Sequence, residues 1–112
     1  YGCSADICVG QSAYNIARSS RQVTVVAIHE NGLMVLRFMD TGTVGSNWPR
    51  SDLAVPRGCG QMFCVGQSAL NASRNYRQVQ IIAIDINRKY VLRFVDNGTI
   101  GSGWSDSDLV RQ

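Results

Sequence analysis

The stretch Gln22-Val23-Thr24-Val25-Val26-Ala27-Ile28-His29, followed by Glu30-Asn31-Gly32 and then Leu33-Met34-Val35-Leu36-Arg37-Phe38-Met39, decides the fold. The first run is rich in Val and Ile, whose branched side chains suit a pleated strand. By simple alternation Val23, Val25 and Ala27 share one face, and Thr24, Val26 and Ile28 share the other. Both faces are largely apolar, which predicts a strand covered on two sides. Asn31-Gly32 tolerates positive φ and sits between two apolar runs, a hairpin signal. Leu33–Met39 is therefore the returning strand, and Asp40-Thr41-Gly42 is the next tight turn.

Outward from this hairpin the pattern is all-β. Cys8–Tyr14 reads as a first strand broken by Gly10. Thr43-Val44 opens a fourth strand that ends near Trp48. Ser51-Asp52-Leu53 reads as a capped turn of 3₁₀ helix, and Leu53-Ala54-Val55 closes the unit. The whole pattern then repeats. Residues 57–112 align with residues 1–56 without a gap, and roughly half of the positions are identical, the mark of a duplicated unit. Asn87-Arg88 replaces Asn31-Gly32, so the second hairpin turn lacks its glycine. The segment Pro56 to Gly60 is a short linker, so two neighbouring units packed as a pseudo-symmetric pair are expected.

A unit of this size buries a small share of its surface and needs a staple or a packed neighbour. The staple is visible as two Cys-x4-Cys pairs, Cys3/Cys8 and Cys59/Cys64. An even count at a repeated spacing in a short chain reads as disulfides in an oxidising compartment. A four-thiolate zinc site is the rival, but the second cysteine of each pair runs straight into strand residues. Four cysteines allow three pairings; Cys3–Cys8 with Cys59–Cys64 is expected, because each repeat then closes its own loop. No cofactor and no metal site are expected. The longest apolar runs, such as Val25–Ile28, are too short to span a bilayer. Tyr1 and Gln112 fall at repeat boundaries, as in a processed exported chain or a piece of a longer array. Secretion or a periplasmic location is the expectation.

Eleven basic residues against eight acidic ones leave a net charge of +3, and the ten arginines are scattered. Nucleic-acid surfaces show clustered or striped cations, so the pattern argues against such a partner.

Five short strands with tight turns and a 3₁₀ turn before the last describe a small SH3-like barrel. Tyr90-Val91-Leu92-Arg93-Phe94-Val95-Asp96-Asn97-Gly98, followed by Trp104 and Ser107-Asp108-Leu109-Val110, resembles the core pattern of Tudor and agenet domains. The chain is also similar to cysteine-bearing tandem repeats of exported bacterial proteins. The resemblance implies two tandem five-stranded SH3-like barrels, 1–56 and 57–112, in a binding or adaptor protein. Tudor cages hold methylated cations with several aromatics. Here Thr41 and Asn97 follow the turn aspartates, so no such cage is expected.

The residues with chemistry are few. Trp48 and Trp104 are candidate ligand platforms, or core packing across one end of the barrel. Asn15, Arg18 and Arg21, with Asn71, Arg74 and Arg77, mark a polar edge that recurs in both copies. Arg37 and Arg93 could clamp a carboxylate; the expectation is instead a structural pair with Asp40 or Asp52 and their copies, or a snorkelling surface residue. Asp40-Thr41-Gly42 is similar to the active-site turn of aspartic proteases, and Asp96 offers a second carboxylate, but the second copy reads Asp-Asn-Gly. His29 has no copy and no nucleophile beside it in the pattern. The expectation is a non-catalytic module whose ligand is a protein, a peptide, a cell-wall fragment or a glycan. A structural unit of a longer repeat array is the alternative, and a protease acting through Asp40 and Asp96 is a minor one.

Overall fold

The computed structural model describes residues 2–4 and 6–112. The chain is all-β and divides into two compact units, Tyr1–Val55 and Pro56–Gln112. The first unit begins with a two-stranded ribbon, β1 (Cys3–Ser4) and β2 (Ile7–Cys8), closed by the Cys3–Cys8 disulfide. Then come β3 (Ser12–Asn15), β4 (Arg21–Ile28), β5 (Met34–Phe38), β6 (Val44–Trp48) and β7 (Leu53–Val55). In the second unit these correspond to β8 (Ser68–Asn71), β9 (Arg77–Asp85), β10 (Tyr90–Phe94), β11 (Ile100–Trp104) and β12 (Leu109–Arg111). Its Cys59–Cys64 disulfide closes an isolated antiparallel bridge. The within-repeat pairing of all four cysteines is therefore present.

Pairing is antiparallel throughout each unit. The first unit has the order β7-β3-β4-β5-β6, and the second repeats it as β12-β8-β9-β10-β11. Three successive hairpins are followed by a last strand that returns to the first. A 3₁₀ turn precedes that last strand in each case, Arg50–Asp52 and Asp106–Asp108. Among the described residues no pairing joins β6 to β7 or β11 to β12, so neither sheet closes on itself. The expected first strand is split: Cys8 belongs to the disulfide ribbon, and Gly10 turns the chain at φ +93° before β3 starts.

The expected alternation along β4 also fails at one point. The register shifts between Val25 and Ala27, so Val26 is an extra residue. Val23 and Val25 face the core, Ala27 is exposed, and Ile28 turns inward. Such a bulge bends the strand and re-aims every side chain beyond it.

The core of the first unit gathers Ile7, Val23, Val25, Ile28, Met34, Leu36, Phe38 and Leu53. Its counterpart gathers Phe63, Val79, Ile81, Ile84, Tyr90, Leu92, Phe94 and Leu109. Ile7 and Phe63 are the residues just before the second cysteine of each pair. The disulfide thus presses one large apolar side chain down onto an otherwise small core. A glutamine latches each ribbon from behind: Cys8 N donates to Gln11 Oε1 at 2.8 Å, and Cys64 N to Gln67 Oε1 at 2.7 Å. Among the described residues no helix is long and apolar enough to cross a membrane.

Candidate functional site

Each unit carries the same stack of aromatic rings and guanidinium groups. It starts at the residue before the first 3₁₀ turn. Asn15 Oδ1 accepts from Ala17 N at 3.0 Å and caps the turn Ile16–Arg18, and Asn71 does the same with Ser73 N. Both asparagines are fully buried, so they belong to the scaffold and not to the polar ligand-facing edge expected from the sequence. Asn71 begins an Asn-x-Ser sequon, and its burial and cap bond leave it inaccessible to glycosylation in the folded chain.

The cap aims the end of the turn at the tryptophan. The Arg18 guanidinium lies over the Trp48 ring, 4.9 Å from its centroid, and Arg74 lies over Trp104 at the same distance. Trp48 meets Phe38 edge to face, with centroids 6.1 Å apart and planes at 72°. Phe94 and Trp104 repeat this at 6.2 Å. Both tryptophans are half-buried against their cores, so each ring is packed on one side and carries a cation on the other. Each Nε1 is buried without a hydrogen-bond partner. Gly45 and Gly101 make room for it: a Cβ at Gly45 would come within 3.0 Å of the Trp48 nitrogen, and one at Gly101 within 3.1 Å of that of Trp104.

Arg21 and Arg77 are committed elsewhere. Arg21 stacks on Phe38 at 4.4 Å and donates to Asp40 through Nε at 2.9 Å and Nη2 at 2.7 Å. Arg77 stacks on Phe94 at 4.5 Å and holds Asp96 at 3.0 and 2.7 Å. These forked bonds hold both carboxyls below the ordinary aspartate range, with backbone N–H groups of the turn contributing. Asp40 and Asp96, one of the two sets of partners expected for Arg37 and Arg93, are thus taken by Arg21 and Arg77, and Asp108, the copy of Asp52, is bonded to Ser73 and Ser105. An aspartic-protease pair must share one proton. Here each aspartate is a turn residue kept ionised by its own arginine.

Of the eight residues expected at the ligand, Arg18, Trp48, Arg74 and Trp104 form exposed cation-on-ring pairs. Arg21 and Arg77 buttress them from behind, and Asn15 and Asn71 lie beneath. Phe38 and Phe94, which link the two halves of each stack, went unmarked in the sequence. Their signal was position: each lies two residues before the aspartate that its own stacked arginine holds.

His29 lies in a shallow basin of about 590 Å³ with Glu30, Asn31 and Asn47. Among the described residues no group of His, Cys, Asp and Glu could hold a metal ion. No protein-family model matches the chain, and no curated protein or solved structure matches it either.

Proposed function

We propose that the chain is a non-catalytic binding module of an exported protein, built from two SH3-like repeats of the Tudor or agenet type. The strand order supports the fold: three hairpins, a 3₁₀ turn, and a last strand returned to the first. The disulfides support an oxidising compartment, where such bonds persist.

One observation carries the function. The exposed Arg18–Trp48 and Arg74–Trp104 pairs are reproduced in both units, and neither cation is in an ion pair among the described residues. A guanidinium whose face rests on indole keeps its N–H edge for a ligand. The ligand class that fits is a peptide, cell-wall fragment or glycan that bears a carboxylate. Two equal sites also favour a ligand that repeats, since linked weak contacts multiply.

Peptide and glycan arrays probed with the full chain test this. Acidic members should be retained, and Arg18→Ala with Arg74→Ala together should abolish retention while the fold persists. Retention unchanged by the double substitution would remove the stacks from the site.

A structural unit of a longer array is the second reading. It is favoured by apolar side chains exposed at matching places: Met39 and Val44 in one unit, Val95 and Ile100 in the other.

A further inference from the structure

The two halves of a duplication that has kept so much of its sequence differ most tellingly at one place. A basin of about 540 Å³ in the second unit is lined by Gln61, Asn87, Arg88, Lys89, Ser105, Asp106 and Ser107. The matching residues of the first unit are Ala5, Asn31, Gly32, Leu33, Pro49, Arg50 and Ser51. Thus Ala, Gly, Leu and Pro have given way to Gln, Arg, Lys and Ser, and an Arg to Asp. Lys89 is the only lysine of the chain.

The walls are fixed. Tyr90 lies buried beneath, and its hydroxyl donates to Asp106 and accepts from Phe63 N at 3.2 Å. Arg88 Nη1 donates to the Cys59 carbonyl at 3.0 Å, tying that cation to the disulfide loop. Arg88 also sits at φ +62°, where the first unit has Gly32 at +89°. A non-glycine residue there is strained. The strain is borne at a position where the other copy avoids it.

We propose that this basin binds a small acidic sugar, a ring that carries a carboxylate among hydroxyl groups. The lining itself carries two cations and one acid. Arg88 and Lys89 have no ion-pair partner among the described residues, and Asp106 is the one acid of the lining. Nearby, Asp85 accepts from Asn87 N and Lys89 N in the hairpin turn, and Asp108 is bonded to Ser73 and Ser105 and also feels the charge of Lys89. The remaining lining residues, Gln61, Asn87, Ser105 and Ser107, each both give and accept hydrogen bonds. Hydroxyl groups do the same, whereas a phosphate offers mainly acceptors and sets more negative charge against Asp106 and the amide oxygens. The basin has room for such a ring. This site is separate from the Arg–Trp stacks and does not depend on them.

Glucuronate titrated into the isotope-labelled full chain, followed by amide NMR shifts, tests the proposal. Saturable shifts should be confined to residues 61–63, 87–90 and 105–108, with glucose weaker by about tenfold because it lacks the charge. Arg88→Gly restores the residue of the first unit and relieves the strained backbone. It should hold or raise the melting temperature while weakening glucuronate about tenfold or more. Lys89→Leu, again the first unit's residue, should weaken it similarly. The proposal is overturned if wild type shows no saturable shifts, if inorganic phosphate binds as tightly as glucuronate, or if both variants bind like wild type.

Discussion

The Tyr90 hydroxyl donates a hydrogen bond to the Asp106 carboxylate, and the first unit makes the same join with a different pair. There Met34 replaces Tyr90, Arg50 replaces Asp106, and Arg50 reaches Asp6 through Nε at 2.7 Å and Nη2 at 3.1 Å. In each case the disulfide loop is fastened to the 3₁₀ turn before the last strand. Three positions changed together to keep one connection. Burial, followed by the bond to Asp106, pushes the Tyr90 phenol above its ordinary range.

Tyr90→Phe should destabilise the second unit by about 1–3 kcal/mol, because Phe63 N and Met62 N lose their acceptor. Urea unfolding followed by Trp104 fluorescence measures it. An unchanged midpoint would mean that the hydroxyl does not fasten the loop. Gly60→Ala should be at least as harmful, since its Cβ would collide with the Tyr90 ring.

Removing one disulfide as Cys3→Ser with Cys8→Ser should cost about 2 kcal/mol by the chain-entropy account. Ile7→Ala, with the disulfide intact, should cost about 2–5 kcal/mol, because it empties a fully buried site. If the loop only decorated the unit, both denaturation midpoints would stay where they are.

Arg21→Ala should raise the Asp40 pKa toward the ordinary aspartate range, read by NMR titration of the side-chain carboxyl. The folded value lies below the unfolded one. The pair therefore contributes to stability above the ordinary aspartate range, and that contribution is lost as pH falls through the depressed value. Both groups are exposed, so the stability effect is small and the pKa is the sensitive readout. Arg77→Ala should act alike on Asp96. An Asp40 pKa indifferent to Arg21 would show that the fork does not persist in solution.

Asn71→Ala should destabilise by about 1 kcal/mol through loss of the cap on Ser73 N. Asn71 Nδ2 is buried and unpartnered, which already subtracts from what the residue contributes. Asn71→Ser keeps an acceptor and removes that orphan donor, so it should be milder than alanine. Thermal melts of the two variants give the order, and serine proving worse than alanine would reject the capping role.

The hairpins and the cysteine pairing were legible because their signals are local: Asn-Gly between apolar runs, and two cysteines that close their own loop. The inward face of β4 was legible only as far as Val25. A bulge at Val26 shifts the alternation, and nothing in a run of Val and Ile marks where one residue is skipped. Asn15 was misplaced for another reason. A polar residue beside two arginines reads as surface, yet a 3₁₀ turn starting at the end of a buried strand needs a buried acceptor. Tyr90, Asp106 and the basin above them show in the sequence only as differences between the two copies.

The returning strand has a kinetic consequence. In the first unit β3, β4, β5 and β6 meet through nearby turns, but β7 must find β3, pairing Ala54 with Tyr14 across most of the unit. Local hairpins close fast, and the long closure carries the larger entropy cost. Each unit is therefore expected to zip from Arg21 toward Trp48 first and to acquire Leu53–Val55 last. Until then the β3 edge stays bare, and Leu53, which ends fully buried, has no core to enter. During synthesis the unit remains a sticky, half-finished sheet until its final three residues have emerged.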